Sequence, residues 1–234
     1  MTQWPRVRPI QEERLMSDPS TVDRYADAIA QAMPPLTARQ LDLVLAAYRA
    51  MLAGKPSEIA AIAADAGWDA NEAANQLADW PGVYLDEANQ VIGFWGLTVE
   101  PISSHLVTTE SGSSWAWCAL DPLFILPLLG ERGTVAARSE VTGTPVELDV
   151  APDRTNSLSP GGDVYVSFLV PSGPFTSDVR LTFCDYVLYF DGKPAADRWT
   201  NEHAGTTAMP LDDAAAIGRT MAERLRLASS DRAA

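Results

Sequence analysis

Cysteine and histidine are scarce in this chain: two of each in 234 residues. None of the four, Cys118, Cys184, His105 and His203, forms a close ligand pair, which argues against a Cys₂His₂ zinc site. Basic residues are also few, 17 against 31 acidic ones, for a formal charge of −14 and a pI near 4.4. A nucleic acid or an anionic membrane surface would be repelled at long range by such a charge. Long apolar runs are missing: the longest, Pro122 to Leu129, is far too short to span a bilayer, and the first twenty residues hold basic positions but no apolar signal-peptide stretch. The expectation is a cytoplasmic chain whose cysteines are reduced thiols rather than a structural disulfide. Ala53-Gly54-Lys55-Pro56-Ser57 lacks the upstream glycine of a phosphate loop, and no Gly-x-Ser-x-Gly elbow occurs, so phosphoryl transfer and serine hydrolysis find no support.

What is present is enough apolar material, 47% of residues, to bury a sizeable core. The chain reads as an α+β protein: an irregular arm (1–20), a helical winged-helix-like domain (21–97), a β-rich core with flanking helices (98–228) and a frayed tail (229–234). Val22, Tyr25, Ile29 and Met33 repeat at helical spacing up to Pro34-Pro35. Thr37 and Gln40 have the form of a capping box before Leu41, Val44, Leu45, Tyr48 and Leu52, with Gly54 as the stop. Ser57 opens a short helix that Gly67 ends; Asp69 and Glu72 cap another running to Trp80. Strand-like pieces Val83–Leu85 and Val91–Leu97 follow, the order of a winged helix. The last of these helices, Asp69 to Trp80, carries Asp69, Glu72 and Asp79 but no lysine or arginine, so a packing module is favoured over a DNA reader.

Beyond Thr98 the pattern changes to short strands and Gly/Pro turns, with strands predicted over Thr134–Arg138, Val146–Val150, Val164–Val170 and Val179–Phe190 and a closing helix over Asp212–Leu227. In the fourth strand Cys184 would share a face with Tyr186, Leu188 and Phe190, buried or lining an enclosed pocket.

The chemistry concentrates in Trp115-Ala116-Trp117-Cys118-Ala119-Leu120-Asp121-Pro122. Pro122 suits a first helical turn, Asp121 would then lie at or beside the N-cap, and Cys118 would precede the helix or lie in its opening turn. There the helix dipole favours a thiolate by about 0.3–1 kcal/mol. In a helical turn Cys118 and Asp121 share a face and can address one small ligand. The duller readings are a helix cap beside a packed thiol, a buried Cys184 acting as a small hydrophobe, Trp115 and Trp117 as pocket wall or core, and His203 as a hydrogen-bonded structural residue near Trp199.

At these residues the sequence resembles the organomercurial (alkylmercury) lyase family. The likeness rests on Trp117-Cys118-Ala119-Leu120-Asp121, Thr142-Gly143-Thr144-Pro145-Val146, Val179-Arg180, Phe183-Cys184, Trp199, His203 and Gly205, over roughly residues 80–220. It implies that Cys118, Asp121 and Cys184 are the catalytic trio, with mercury held by both thiols and by Asp121 at most in addition. The implied reaction is protonolysis of R–Hg(II) to a hydrocarbon and bis-thiolate Hg(II). It needs no organic cofactor, and low-molecular-weight thiols or a mercuric reductase would take the product. Two departures stand out: Asp185 and Ser139 occupy places where some members have cysteines. The rival readings are a thiol-based soft-metal sensor that binds without cleaving, and a winged-helix regulator.

Overall fold

The computed structural model describes residues 19–231, with side chains from Ser20 to Leu227. All but the end of the expected N-terminal arm and the last three residues of the expected tail therefore lie outside the described residues. Helix α1 (Pro19–Ala32) buries Tyr25, Ala26, Ile29 and Ala32. Helix α2 (Ala38–Leu52) begins at the expected capping box: the Thr37 side chain accepts from the Gln40 amide (3.2 Å) and Gln40 Oε1 from the Thr37 amide (2.9 Å). A two-residue strand β1 (Ser57–Glu58) precedes α3 (Ile59–Ala66), so Ser57 is not a cap. Gly67, at φ 67°, ends α3 in the left-handed conformation that glycine tolerates. Asp69 caps α4 (Ala70–Asp79) through the Asn71 and Glu72 amides, while the Glu72 carboxylate turns to Arg39.

Strands β2 (Val83–Leu85), β3 (Gln90–Phe94), β4 (Leu97–Thr98), β5 (His105–Thr109) and β6 (Gly112–Ala116) lead into helix α5 (Leu120–Leu129), followed by β7 (Gly133–Arg138), β8 (Pro145–Val150) and β9 (Thr155–Ser157). One antiparallel sheet joins them in the order β1-β3-β4-β6-β5-β7-β8-β9, with β2 on β3. The place where the sequence divides into two expected domains falls inside β4, and the sheet passes through it. A smaller sheet is built from β10 (Tyr165–Leu169), β11 (Tyr189–Phe190) and β12 (Thr206–Pro210), in the order β11-β10-β12. Helices α6 (Val179–Thr182), α7 (Lys193–Glu202) and α8 (Leu211–Asp231) complete the chain.

Helix α5 is the centre of the packing. Leu120, Pro122 and every residue from Leu123 to Leu128 are buried, which is the composition of a helix enclosed on all sides. Helix α8 crosses it where Gly218 meets the Leu123 carbonyl; a Cβ at Gly218 would overlap that backbone. Arg226 donates to the carbonyls of Pro127, which also accepts the Gly130 amide, and of Leu128, at the end of α5 where carbonyls run out of helical donors.

One expected element is overturned. Val179–Phe190 is not a strand: it forms α6, then a 3₁₀ turn over Cys184–Tyr186, and only Tyr189–Phe190 pairs in a sheet. Local bonds prevail, with Phe183 N donating to Val179 O (2.9 Å), Tyr186 N to Phe183 O (3.0 Å) and Val187 N to Cys184 O (3.0 Å). A segment apolar on both faces carries no period that separates a buried strand from a buried turn of helix. The alternating-face argument for Cys184 falls with the strand, although its burial, 3% exposed, remains.

Candidate active site

Two hydrogen bonds bring the two cysteine segments together, and a third anchors the first of them to a hairpin. The Ala119 amide donates to Val187 O (2.9 Å), and Tyr189 Oη donates to Ala119 O (2.7 Å), so the residue after Cys118 is tied to the chain just beyond Cys184. The Trp117 amide donates to Gly96 O (2.7 Å), which fixes the other side of Cys118 to the β3–β4 hairpin. Ala119 is the N-cap of α5 and already helical (φ −66°, ψ −24°). Asp121 is thus the second residue of the helix and Pro122 the third, one step further in than the sequence pattern predicts. From there Asp121 Oδ2 accepts the Cys118 amide (2.7 Å).

The result is a trio: the Cys118 sulfur, the Cys184 sulfur and an Asp121 carboxylate oxygen all lie within 4.8 Å of one another. Both cysteines are free thiols. Cys118 is fully enclosed, whereas Cys184 and half-buried Asp121 line a cavity of about 70 Å³ walled by Tyr48, Trp95, Trp117 and Phe175 among others. Trp117 is therefore cavity wall, and its indole N–H is buried without a partner among the described residues. Neither histidine joins the trio. His203 stacks on Trp199 at 3.9 Å with Nδ1 against Trp199 O (2.8 Å), and His105 packs edge-on to Tyr189.

Burial dominates the protonation of the site. It raises the Asp121 carboxyl to about 7, against the ion-favouring hydrogen bonds from the Cys118 amide, the Cys118 thiol and the Trp117 amide. Burial also pushes the Cys118 thiol well above its ordinary value, reinforced by its hydrogen bond to Cys184 and by the charges of Asp121 and Cys184; the Leu120 amide opposes this and loses. The helix N-terminus therefore does not make Cys118 the ready thiolate that its position suggests, because desolvation outweighs a dipole worth about 0.3–1 kcal/mol. For Cys184 the hydrogen bond from Cys118 favours the thiolate, yet burial together with Asp121 and Asp185 still raises it, with Arg180 in opposition. Arg180 Nε lies 3.8 Å from Asp185 Oδ1, so the carboxylate beside Cys184 is partly neutralised. Ser139, buried, donates to Asp191 Oδ1 (2.7 Å) in the turn that carries Thr142 and Thr144, a structural bond and no part of the trio.

An α+β chain whose only two cysteines converge on a carboxyl group inside an aromatic cavity defines a protein that handles a soft metal, because paired sulfurs select such ions over harder ones. The family model for alkylmercury lyase matches residues 97–223. Alkylmercury lyase of Pseudomonas putida is 31% identical over 78% of this chain and 84% of its own length; that of Staphylococcus epidermidis is 37% identical over 73% and 77%, and that of Bacillus cereus 35% over 74% and 78%. The chain belongs to the alkylmercury lyase family. A crystal structure of the mercury-bound form of MerB2 has the same fold, with a TM-score of 0.62 at 18% identity, covering 88% of this chain and 99% of that one.

Sequence reasoning did not single out Gly96 or Tyr48, which pack against the trio. Nothing in their local patterns signals it: the Tyr48 spacing reads as core, and Gly96 reads as a residue within a strand.

Proposed function

We propose that this protein cleaves the carbon–mercury bond of organomercurials, R–Hg–X, by protonolysis. The observation that carries the reading is the convergence of two sulfurs and a carboxylate within 4.8 Å in a cavity lined by apolar and aromatic side chains. Cys184, which lines the cavity and accepts the Cys118 hydrogen bond, takes the mercury first and displaces X, which leaves with the thiol proton. Cys118 then adds to the metal and gives its proton to the Asp121 carboxylate. Two thiolates load electron density onto mercury, carbon becomes basic, and Asp121 delivers that proton to it as general acid. The balance is R–Hg–X plus two thiols to R–H, HX and Hg(II) held by both sulfurs. Two molecules of a small thiol exchange onto Hg(II) and restore both Cys–SH groups, and a mercuric reductase is a fitting acceptor downstream. No organic cofactor enters this balance. A carboxyl titrating at about 7 is matched to giving and taking one proton at neutral pH.

The test is gas-chromatographic detection of benzene from phenylmercury with reduced protein and excess thiol. Catalytic release is expected, and its loss in both Cys118→Ser and Cys184→Ser. Tight mercury binding without benzene from the unaltered protein would overturn cleavage in favour of metal capture.

A further inference from the structure

Trp95 and Gly96 are the two loop residues of the β3–β4 hairpin, between the paired residues Phe94 and Leu97. Both have positive φ, 36° and 104°, as a tight hairpin of this length requires. Glycine meets that requirement freely; a tryptophan in this region is rare and needs external support. The support is extensive. Buried Tyr48 of α2 donates to Trp95 O (3.0 Å), the Trp95 indole donates to Pro81 O (2.7 Å), and the Trp95 amide donates to Gly82 O (3.2 Å). The Trp95 ring lies over Phe94, centroids 5.0 Å apart and planes 17° from parallel.

The supported turn ends against the proton carrier. A Cβ on Gly96 would overlap the Asp121 carboxyl, 2.6 Å from its Cγ, so the bare Gly96 backbone is the wall on which the carboxyl rests. On the carboxyl's other side is the Cys118 amide, and Gly96 O itself holds the Trp117 amide. One turn therefore touches both the carboxyl and the chain carrying the enclosed thiol.

We infer that the Trp95-Gly96 turn, braced by Tyr48, is a positioning device that seats the Asp121 carboxyl beside the two thiols. Gly96 and Tyr48 act through Asp121 rather than on substrate, and the assignment rests on the carbon–mercury cleavage reading. Among the described residues, the titratable groups that interact electrostatically with Asp121 are Tyr48 from α2, Cys118 at the start of α5, Cys184 from the 3₁₀ turn and Tyr189 from β11. A methyl group at position 96 displaces the carboxyl from the Cys118 amide and removes a bond that favours its charged form.

The experiment follows the ¹³C resonances of aspartate side-chain carboxyls against pH, with the Asp121 signal assigned by its loss in Asp121→Asn, and measures turnover of phenylmercury on the same samples. In Gly96→Ala the Asp121 midpoint is expected to rise by about one pH unit, and kcat to fall about tenfold or more with KM changed less than about twofold. Tyr48→Phe keeps the ring and loses only the brace; it should shift both in the same direction by less, and it serves if Gly96→Ala does not fold. Carboxyl titrations in folded variants that superimpose on the wild type overturn the inference whatever the turnover. Failure of the wild type to release benzene counts instead against cleavage and leaves the carboxyl titration to decide the positioning role.

Discussion

At the scale of single residues Asp121 governs the pH behaviour. In the proposed mechanism its ionised form receives the Cys118 proton, so kcat/KM for phenylmercury is expected to rise through about pH 7 as the carboxyl deprotonates. A pH–rate profile in a constant excess of thiol checks this, and a flat profile between pH 6 and 8 would remove Asp121 from the first proton transfer. Asp121→Asn should lower turnover by a factor of about 10²–10⁴ while Hg(II) is still captured by the two thiols. The same shift links to stability. The folded carboxyl titrates at about 7 against 3.8 for an ordinary one, so the folded state binds more protons than the unfolded chain between those values. Its contribution is fully present below about pH 4 and is lost as pH rises to about 7. Urea denaturation across this range should show wild type losing stability relative to Asp121→Asn; equal slopes for the two proteins would contradict the raised carboxyl. Cys118, Asp121 and Cys184 were all legible as a trio in the sequence, the first two from their spacing and all three from the family likeness. The charge state was not, because a helix start is visible in residue types and the burial that overrides it is a property of the whole fold.

Among the elements, α5 and α8 form the largest helix–helix contact and deliver Asp121 to the cavity. Their approach depends on Gly218, where any side chain meets the Leu123 backbone. Gly218→Val is expected to destabilise by about 1–3 kcal/mol through overpacking, read as a lower urea midpoint. If α5 is displaced, the Cys118 amide also loses Asp121, and turnover should fall at temperatures where the protein is still folded. An unchanged midpoint would mean that α8 shifts along α5 at no cost. Local signals made some elements easy to read and left others unreadable. The Thr37 and Asp69 caps advertise α2 and α4 because capping is a short-range bond between named side chains and nearby amides. The β5–β6 hairpin and α7 passed unnoticed, the first because Thr109-Glu110-Ser111-Gly112 is a turn with polar flanks and the second because Lys193–Glu202 buries little beyond Ala196 and Trp199. For residues 179–190, local bonds form α6 and the 3₁₀ turn, while tethers to Ala119 and β10, both distant in the chain, fix the stretch from Val187 to Phe190.

For the molecule as a whole, the question is what closes the cavity. Ile29 of α1, Met33 just beyond it and Met221 of α8 form one wall, and α1 packs chiefly on α8. That contact is held by Arg224, whose guanidinium binds Asp27 Oδ1 (2.6 Å) and Asp23 Oδ1 (2.7 Å) and also donates to the Asp23 carbonyl (3.2 Å). Exposed ion pairs are ordinarily worth about 0–1 kcal/mol, but one guanidinium spanning two carboxylates of a single helix approaches the upper end. In a chain of net charge −14, its loss also leaves Asp23 and Asp27 as unopposed like charges one helical turn apart. Helix α1 is held by side-chain packing, including Tyr25 on Phe168 of β10, whereas the strands of the long sheet are joined by backbone hydrogen bonds. Arg224→Gln is therefore expected to speed amide exchange in α1 about fivefold, as about 1 kcal/mol implies, with little change in β5, β7 and β8. Hydrogen-exchange mass spectrometry resolves the two regions, and a rise of equal size in the sheet would show instead that α1 opens only with global unfolding. A confined rise would make α1 a wall that opens without loss of the sheet. Lower salt should then slow its exchange in the wild type and speed it in Arg224→Gln, because weaker screening strengthens the ion pairs in the one and the Asp23–Asp27 repulsion in the other.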